Sequence, residues 1–229
     1  MPLNGMTSAS GALRYWERRQ EVTANNLANI STDGFKAERA FSTLMNGAPV
    51  IGTATDRRLG TMRAGGAMDV ALGTDSFLVV QTDAGERFTR GGHLHADAAG
   101  FLADADGHRL LGAKGAIQVG SASPDIDAHG GVSLKGTLVD HLRVESAPRT
   151  AGLQHEGGLL LVPGTTRTAI PPEQRDVRQG FVEESNADSF GGLVDMIGVQ
   201  RAYAAVEKSI TVLDHIRETA TSQLGRGAT

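Results

Sequence analysis

Two histidines and two glutamates are the residues whose types and spacing best suit chemistry. His93 and His95 lie two positions apart, so on a strand they would share one face and could bind a metal ion together. The sequence offers no obvious third ligand, which favours a solvated or hydrogen-bonded pair. Glu183 and Glu184 could serve as an acid and a base, but adjacent carboxylates just before a helix more often interact with the helix dipole.

The motifs of common catalytic sites are absent from the sequence. It contains no P-loop, no G-x-S-x-G elbow and no H-E-x-x-H pair. It has no cysteine, which excludes disulfides, thiolate nucleophiles and cysteine-bound zinc. The net charge of −4 has no strongly basic block of the kind that marks nucleic-acid binders. The sequence therefore predicts no enzyme, cofactor, metal, small-molecule substrate or nucleic-acid partner.

Composition indicates many short elements rather than one large apolar core. Aromatic residues make up 4% of the chain, and 30 of its 229 residues are glycine, about twice the usual share of roughly 7%. The first residues lack a basic segment followed by an apolar run, so no cleavable signal is visible. No apolar stretch approaches the roughly 20 residues that span a bilayer. Composition alone predicts a soluble cytoplasmic protein without membrane insertion.

The first element predicted is a helix over about 4–29. Its apolar positions alternate by three and four residues, as in a heptad seam. The positions of this seam are Met6, Ala9, Leu13, Trp16, Gln20, Thr23, Leu27 and Ile30. Gln20 and Thr23 are polar where a coiled coil prefers apolar residues, which makes the seam weak. The Asn/Asp/Gly-rich stretch 29–34 then predicts a turn.

The middle of the chain has the pattern of an antiparallel sheet. Residues 37–68 show no period and are predicted to form an extended arm. From Asp69 onward, short β-prone runs alternate with Asp/Gly turns at spacings of about 8–12 residues. The predicted strands are 70–72, 77–80, 87–89, 93–95, 100–102, 117–119, 132–134, 142–145 and 159–162, followed by a linker at 163–172.

The last predicted element is a long helix over about 186–224. Ser185 or Asn186 could cap the helix, and the negative charge of Asp188 would interact favourably with the positive end of the helix dipole. One heptad seam consists of Val199, Ala202, Val206, Ser209, Leu213, Ile216 and Ala220. A second apolar face contains Leu193, Ile197, Tyr203 and Ile210. Two apolar faces have more surface to bury than one partner helix can cover.

These elements predict an α+β fold, mainly β, in which an antiparallel β domain is flanked by long terminal helices that pair as a coiled coil. The predicted divisions are 1–36 (helix and turn), 37–68 (arm), 69–172 (β domain) and 173–229 (linker and helix).

Several segments resemble the signatures of the flagellar rod and hook protein family. Residues 23–36, TANNLANISTDGFK, are similar to its N-terminal signature, and 179–186, QGFVEESN, are similar to the stretch before its C-terminal helix. Further similar segments are 69–80 (DVALGTDSFLVV), 88–92 (FTRGG), 105–112 (ADGHRLLG) and 200–203 (QRAY). The segments follow the family order and cover most of the chain. Ser76 departs from the pattern, because a glycine is usual at its position.

The resemblance implies a structural subunit of the flagellar basal body. Its helices would pack in an inner tube, formed from 1–36 and 180–229, with the β domain outside. The subunit would leave the cell through the flagellar export apparatus without a cleaved signal peptide, so the resemblance places it in the periplasmic rod rather than in the cytoplasm. Its partners would be other copies of itself and neighbouring rod proteins. The short length favours the proximal rod type over the distal rod and hook types.

We expect assembly contacts at residues of the terminal signatures and of the two helix seams. Asn25, Asn26 and Asn29 are expected to make inter-subunit or arm-docking hydrogen bonds. The complete expected set is Leu13, Asn25, Asn26, Leu27, Asn29, Thr32, Gly34, Phe35, Ser185, Asn186, Gln200, Arg201, Ala202, Tyr203, Val206 and Leu213.

Two hypotheses from other classes stay open from the sequence alone. One is a secreted or surface β-domain binding module with helical oligomerisation ends, which would form a closed oligomer instead of a polymer. The other is an enzyme, which would require a pocket with convergent ionisable groups.

Overall fold

A long helix lies at each end of the chain, with strands between them. The computed structural model describes residues 3–45, 48–148, 153–156 and 159–226. Helix α1 covers Leu3–Ala28, helix α2 covers Ser189–Arg226, and a short 3-10 helix covers Pro172–Gln174. The α+β class with a mainly antiparallel β region is thereby confirmed. Residues 1–2 and 227–229 of the predicted terminal segments lie outside the described residues.

Short strands fill the described chain between the helices. In chain order they are β1 Glu38–Met45, β2 Ala48–Thr55, β3 Met62–Ala64, β4 Asp69–Leu72, β5 Phe77–Thr82, β6 Gly85–Thr89, β7 Gly91–His93, β8 His95–Ala96, β9 Leu102–Ala103, β10 Arg109–Gly112, β11 Gly115–Ala116, β12 Asp125–Ile126, β13 Gly131–Leu134, β14 Thr137–His141, β15 Val144–Ser146, β16 Gln154–His155, β17 Leu161–Val162, β18 Thr168–Ala169, β19 Val177–Gln179 and β20 Phe181–Glu183.

The largest sheet has the order β16-β17-β6-β5-β10-β9-β8, with β11 added at β10, β15 at β5, and β18 at β15. Its strand pairs are antiparallel, and β5 and β6 form its central hairpin, in which Thr82 faces Gly85. Smaller sheets of the described residues have the orders β1-β2, β12-β13-β14, β19-β4-β7 and β20-β3. In the last two sheets, strands that shortly precede α2 pair with strands within residues 62–72.

Aspartates and glycines make the tight turns, as their spacing predicted. Asp97 Oδ1 accepts hydrogen bonds from the backbone N–H groups of Ala99 and Phe101, at 2.8 Å each. Gly91 shows why glycine is required at one crossing. Its φ is +91°, and a Cβ there would lie 2.3 Å from the carbonyl oxygen of Val70 on β4.

The chain divides into two compact units. The helical unit contains Met1–Ala28, Glu38–Thr53 and Asp188–Thr229, and the β unit contains Asn29–Ala37 and Ala54–Ala187. The β unit has a continuous apolar core of Val, Leu and Ile side chains from most of its strands. In the helical unit, the only fully buried apolar side chains among the described residues are Val22 and Val199. The β unit therefore has its own apolar core, and the helical unit has almost none.

Helices α1 and α2 pack against one another within the helical unit. Arg19 lies 3.4 Å from Asp195, and Met6 near one end of α1 contacts Arg217 in the last part of α2. The two helices therefore run antiparallel. Neither described helix is long and apolar enough to cross a membrane.

Two boundaries differ from those predicted. Helix α2 begins at Ser189, because the Asp188 carboxylate accepts a hydrogen bond from the N–H of Gly191 at 3.1 Å and thus caps the helix. The prediction that Ser185 or Asn186 caps α2 is therefore wrong. In addition, β19 and β20 occupy 177–183, where a linker was predicted, because their partners β4 and β3 lie more than one hundred residues earlier and give no local sequence signal.

Candidate functional site

Three charged side chains meet in the interior of the β unit. Lys36 Nζ donates a hydrogen bond to Glu183 Oε1 at 2.5 Å, and Arg90 Nε donates to Glu183 Oε2 at 2.9 Å. Their side chains are 3%, 3% and 1% exposed for Lys36, Arg90 and Glu183. We call these three residues the clasp. They come from the N-terminal signature, the middle of the β region and the C-terminal signature.

Backbone groups satisfy the other polar atoms of the clasp. Lys36 Nζ also donates to the carbonyl oxygen of Arg58 at 2.6 Å, and the N–H of Gly60 donates to Glu183 Oε1 at 2.8 Å. The Arg90 guanidinium donates to the carbonyl oxygens of Leu72, Gly73 and Ser76. Buried charges persist in a protein interior only when they are paired and hydrogen-bonded in this way.

The clasp contains two cations and one carboxylate. Burial lowers the pKa of the Lys36 ammonium, and the nearby Arg90 charge lowers it further, whereas Glu183 opposes both effects. Glu183 is thus shared between two positive groups, and removing its charge would leave both of them buried without a counterion.

Hydrogen bonds next to the clasp hold the two signature segments side by side. The N–H of Gly34 donates to the carbonyl oxygen of Glu183 at 2.5 Å, and the N–H of Asn186 donates to the carbonyl oxygen of Phe35 at 3.4 Å. Asn186 Oδ1 accepts from the N–H of Ala37 at 2.7 Å. The Asn186 amide also donates to the carbonyl oxygens of Asp56 and Arg58, at 2.9 Å each.

The close approach of these segments requires glycine. A Cβ at Gly60 would lie 1.9 Å from the carbonyl oxygen of Glu184. Gly34 has a φ of +78°, a left-handed conformation that glycine adopts readily. Phe35 follows it and is buried, with its ring 5.5 Å from that of His155. The DGFK portion of the N-terminal signature therefore shapes the path that leads Lys36 into the clasp.

Asn26 connects the end of α1 to the arm that follows the signature. Its Nδ2 donates to the carbonyl oxygen of Glu38 at 2.8 Å, and its Oδ1 accepts from the N–H of Glu38 at 2.9 Å. Asn29 and Thr32 form the turn instead, since the N–H of Thr32 donates to the carbonyl oxygen of Asn29 at 3.2 Å. Asn25 is exposed on α1.

The predicted helical contact residues fall into two classes. Leu13, Leu27, Ala202, Tyr203, Val206 and Leu213 are half-buried, whereas Gln200 and Arg201 are exposed. Leu27 lies beside Gly192 of α2. Gln200 and Arg201 therefore have more of their surface accessible to solvent than the half-buried residues do.

Most of the exposed large apolar side chains of the described residues belong to the helical unit. Phe190, at the start of α2, is 83% exposed. The others are Phe41, Leu44, Met45, Val50, Leu193, Val194, Ile197, Val212 and Ile216. Exposed large apolar side chains in such numbers are typical of protein–protein contact sites.

His93 and His95 lie on different strands, and His93 pairs with two aspartates instead of with His95. His93 Nδ1 lies 2.9 Å from Asp69 Oδ1, and its Nε2 lies 3.3 Å from Asp33 Oδ2. The hydrogen bond to Asp69 raises the pKa of His93, and the Asp33 carboxylate adds to this effect. His95 is exposed on the neighbouring strand β8. Within the described ranges, no group of three or more histidine, cysteine or acidic side chains could hold a metal.

A cavity of about 400 Å³ adjoins the turn at residues 29–34, which we call the signature turn. The enzyme hypothesis requires a pocket with convergent ionisable groups, and this cavity is the candidate. Its ionisable lining residues are Asp33, His93, Asp104 and Asp106. Asp33 pairs with Arg63 at 3.0 Å as well as with His93. Asp104 accepts hydrogen bonds from the N–H groups of Asp106 and His108. The carboxylates of Asp33 and Asp104 are therefore engaged in contacts that hold the turns of the β unit together.

Two interpretations of acidic and polar residues before α2 need correction. Glu183 and Glu184 precede α2 by several residues and do not serve its dipole: Glu183 belongs to the clasp, and Glu184 pairs with Arg63 at 3.3 Å. Ser185 accepts a hydrogen bond from the N–H of Ala187 at 3.2 Å. Lys36 and Arg90 were not predicted as site residues, although both lie inside signature segments, which was the one signal available.

Sequence comparisons link both ends of the chain to known proteins. Residues 6–36 match the family described as "Flagella basal body rod protein", and residues 178–224 match "Flagellar basal body rod FlgEFG protein C-terminal". The chain is 31% identical to the flagellar basal-body rod protein FlgF of Escherichia coli, covering 90% of this chain and 92% of the relative. It is 30% identical to FlgF of Salmonella typhimurium over 90% and 92% of the two chains. It is 26% identical to the rod protein FlgG of Bacillus subtilis over 93% and 96%.

Proposed function

The chain belongs to the flagellar basal-body rod protein family, and we propose that it is an FlgF-type subunit of the proximal rod. It is a structural subunit of the rod. In this proposal it leaves the cell through the flagellar export apparatus without a cleaved signal peptide. It then polymerises with copies of itself and with neighbouring rod proteins in the periplasm, where the rod transmits torque.

The uneven distribution of core between the two units is the observation that carries the polymerisation proposal. The β unit has a complete apolar core, whereas the helical unit buries only Val22 and Val199 among its described apolar side chains. Helices gain most of their stability from packing partners. A helical unit with little core of its own therefore needs neighbouring subunits to bury the apolar residues that it exposes.

We further propose that α1 and α2 form a coiled coil whose half-buried seam residues include Leu13, Leu27, Val206 and Leu213. In this arrangement, Gln200 and Arg201 face neighbouring subunits, because both are exposed in the isolated chain. Contacts between different surfaces of successive subunits do not close, and they generate a filament rather than a ring.

The FlgF assignment rests on length and on degree of identity. The relatives described above that reach 30% identity are FlgF proteins, whereas the FlgG relative is 26% identical. The family is one of structural rod proteins and not of enzymes, and neither the binding-module hypothesis nor the enzyme hypothesis is favoured.

Deleting the gene tests the proposed function. The deletion should abolish swimming and stop flagellar assembly at the rod, and the wild-type gene supplied on a plasmid should restore both. Electron microscopy of basal bodies carrying a labelled subunit should then place the label in the proximal part of the rod. A clean deletion strain that swims normally, without a paralogue to compensate, would contradict a rod function. A label in the distal rod would contradict only the FlgF assignment.

A further inference from the structure

The clasp buries three charges where apolar side chains could have been buried instead. Taking ions out of water costs free energy, and this cost often exceeds what their mutual attraction returns. Apolar residues of similar volume frequently stabilise such a site equally well. Stability alone therefore does not account for Lys36, Arg90 and Glu183. A fully satisfied buried polar network can instead specify one arrangement among several that are close in free energy.

The alternative arrangement that the clasp discriminates against lies next to it in the sequence. Glu184 follows Glu183 and pairs at the surface with Arg63 at 3.3 Å, with a side chain that is 43% exposed. Successive residues of a strand point to opposite faces, so a slip by one residue would put either Val182 or Glu184 in the place of Glu183. Val182 supplies no carboxylate, and Glu184 would lose its ion pair with Arg63. Lys36 and Arg90 together demand a carboxylate on the inner face, and only one register of 183–186 against 34–37 supplies Glu183 with its present backbone bonds.

From this geometry we infer that the clasp is a register lock, in which Lys36 and Arg90 select Glu183 and so align the two signature segments. Lys36 is the positioning residue, since it follows the N-terminal signature turn directly and reaches both Glu183 and the carbonyl oxygen of Arg58. The segments aligned in this way are continuous in the chain with the elements of the helical unit. The inference rests on the proposed function only where rod assembly is used as a readout.

The substitution Lys36→Met tests the lock in the purified full-length chain. It leaves Glu183 and Arg90 as a neutral pair and removes the ammonium group that burial penalises, so we expect an unchanged or higher melting temperature. We expect hydrogen exchange at the N–H groups of Gly34, Ala37 and Asn186 to accelerate by about tenfold or more. Exchange at Leu102, whose N–H bonds to the carbonyl oxygen of Ile117 in the core, should not change.

Lys114→Met is the matched control. Lys114 also donates from Nζ to a carbonyl oxygen, that of Val139 at 2.9 Å, but it does so at the surface. This control should leave exchange at all four amides unchanged. Lys36→Arg serves as a second variant, because it keeps the cation and should keep the protection at Gly34, Ala37 and Asn186.

Three results would overturn the inference. One is unchanged exchange at Gly34, Ala37 and Asn186 in Lys36→Met. The second is a general loss of protection that includes Leu102, or a failure of Lys36→Met to fold while Lys36→Arg folds, since either would make the clasp a stability element. The third is an equal loss of protection in Lys36→Met and Lys36→Arg.

Motility separates this inference from the proposed function. If the lock serves rod assembly, cells carrying Lys36→Met should assemble fewer rods than cells carrying Lys114→Met. Normal rods together with accelerated exchange would support the lock but contradict its role in assembly. A gene deletion without effect on motility would contradict the rod function and leave the exchange result intact.

Discussion

At the scale of single residues, His93 is a histidine of the β unit whose contacts raise its pKa above the ordinary value. Its ring contacts Asp69 on one side and Asp33 of the signature turn on the other, and it is 58% exposed. The charged groups around it are the carboxylates of Asp33, Asp69, Asp104 and Asp106 and the guanidinium of Arg63. Protonated His93 therefore ties the signature turn to β4 through two ion pairs.

We predict that this tie weakens as the pH rises. The hydrogen bond to Asp69 raises the pKa of His93 in the folded chain above the unfolded value, which is about 6.5. The stabilisation is therefore fully present below about pH 6.5 and is lost as the pH rises through the raised pKa. Urea midpoints of the wild type and His93→Asn should differ more at pH 5.5 than at pH 9.

His95→Asn is the control for this prediction, because His95 is exposed on the neighbouring strand β8. A constant difference between the wild type and His93→Asn across this pH range would mean that the charge of His93 contributes nothing.

The ion pairs of the clasp could not be predicted from the sequence. Glu183 was interpreted from its neighbours, Glu184 and the following helix, whereas its partners lie 93 and 147 residues away in the sequence. Asn26, in contrast, bonds to Glu38, which is only 12 residues distant and follows the turn directly. Short sequence separations can be predicted from pattern, while pairings across the sheet depend on the tertiary fold.

At the scale of elements, periodicity predicted both helices to within a few residues. Val199 of the predicted seam is buried, and Ala202, Val206 and Leu213 are half-buried, but Ser209, Ile216 and Ala220 are exposed. Thr23 is buried in α1 although it is polar, because its hydroxyl donates to the carbonyl oxygen of Arg19 at 2.8 Å in the same helix. A polar residue in the seam can thus be buried without a polar partner on the other helix.

Leu213 provides a test of the α2 seam. It is half-buried in the isolated chain, so Leu213→Ala should cost less than the roughly 2–5 kcal/mol typical of a fully buried leucine. The loss should appear in the melting of helical circular dichroism and not in the melting of the β unit. Rod assembly in cells should fall further than this cost implies, since assembly is proposed to complete the burial of the seam.

Val212→Ala is the matched control, because Val212 is adjacent and 50% exposed. It should change helix melting by no more than about 0.5 kcal/mol. Equal effects of Leu213→Ala and Val212→Ala on helix melting and on assembly would contradict a seam that contains Leu213.

At the scale of the whole molecule, the order of helix, β region and helix could be predicted from the sequence, but the grouping of segments could not. The arm was predicted as a separate extended segment, yet β1 and most of β2 group with the two helices, while the following residues group with the β unit. Asn26 contributes to this grouping through its two hydrogen bonds to Glu38. Such grouping depends on contacts between distant parts of the chain, which local patterns of polarity do not encode.

The unequal cores of the two units predict an unequal response to proteolysis. Cleavage requires local opening, and opening is easiest where few apolar contacts are buried. The helical unit should therefore be trimmed at exposed basic residues such as Arg18 and Arg201, whereas exposed Arg109 and Arg178 on the strands of the β unit should resist. Because the clasp holds Lys36 against Glu183, the resistant product should retain the signature turn as well as the region up to about residue 187.

Limited digestion of the purified chain with trypsin, followed by mass spectrometry of the fragments, measures this difference. Both units carry exposed arginines, so trypsin has cleavage sites in each. A difference in cleavage rate between the units therefore reports how readily each unit opens locally. The order of cleavage also bears on assembly: a helical unit that opens readily in the isolated chain can complete its burial only against neighbours. If sites in α1 and α2 were cut as slowly as those in β10 and β19, the helical unit would be stable by itself, and polymerisation would not be needed to order it.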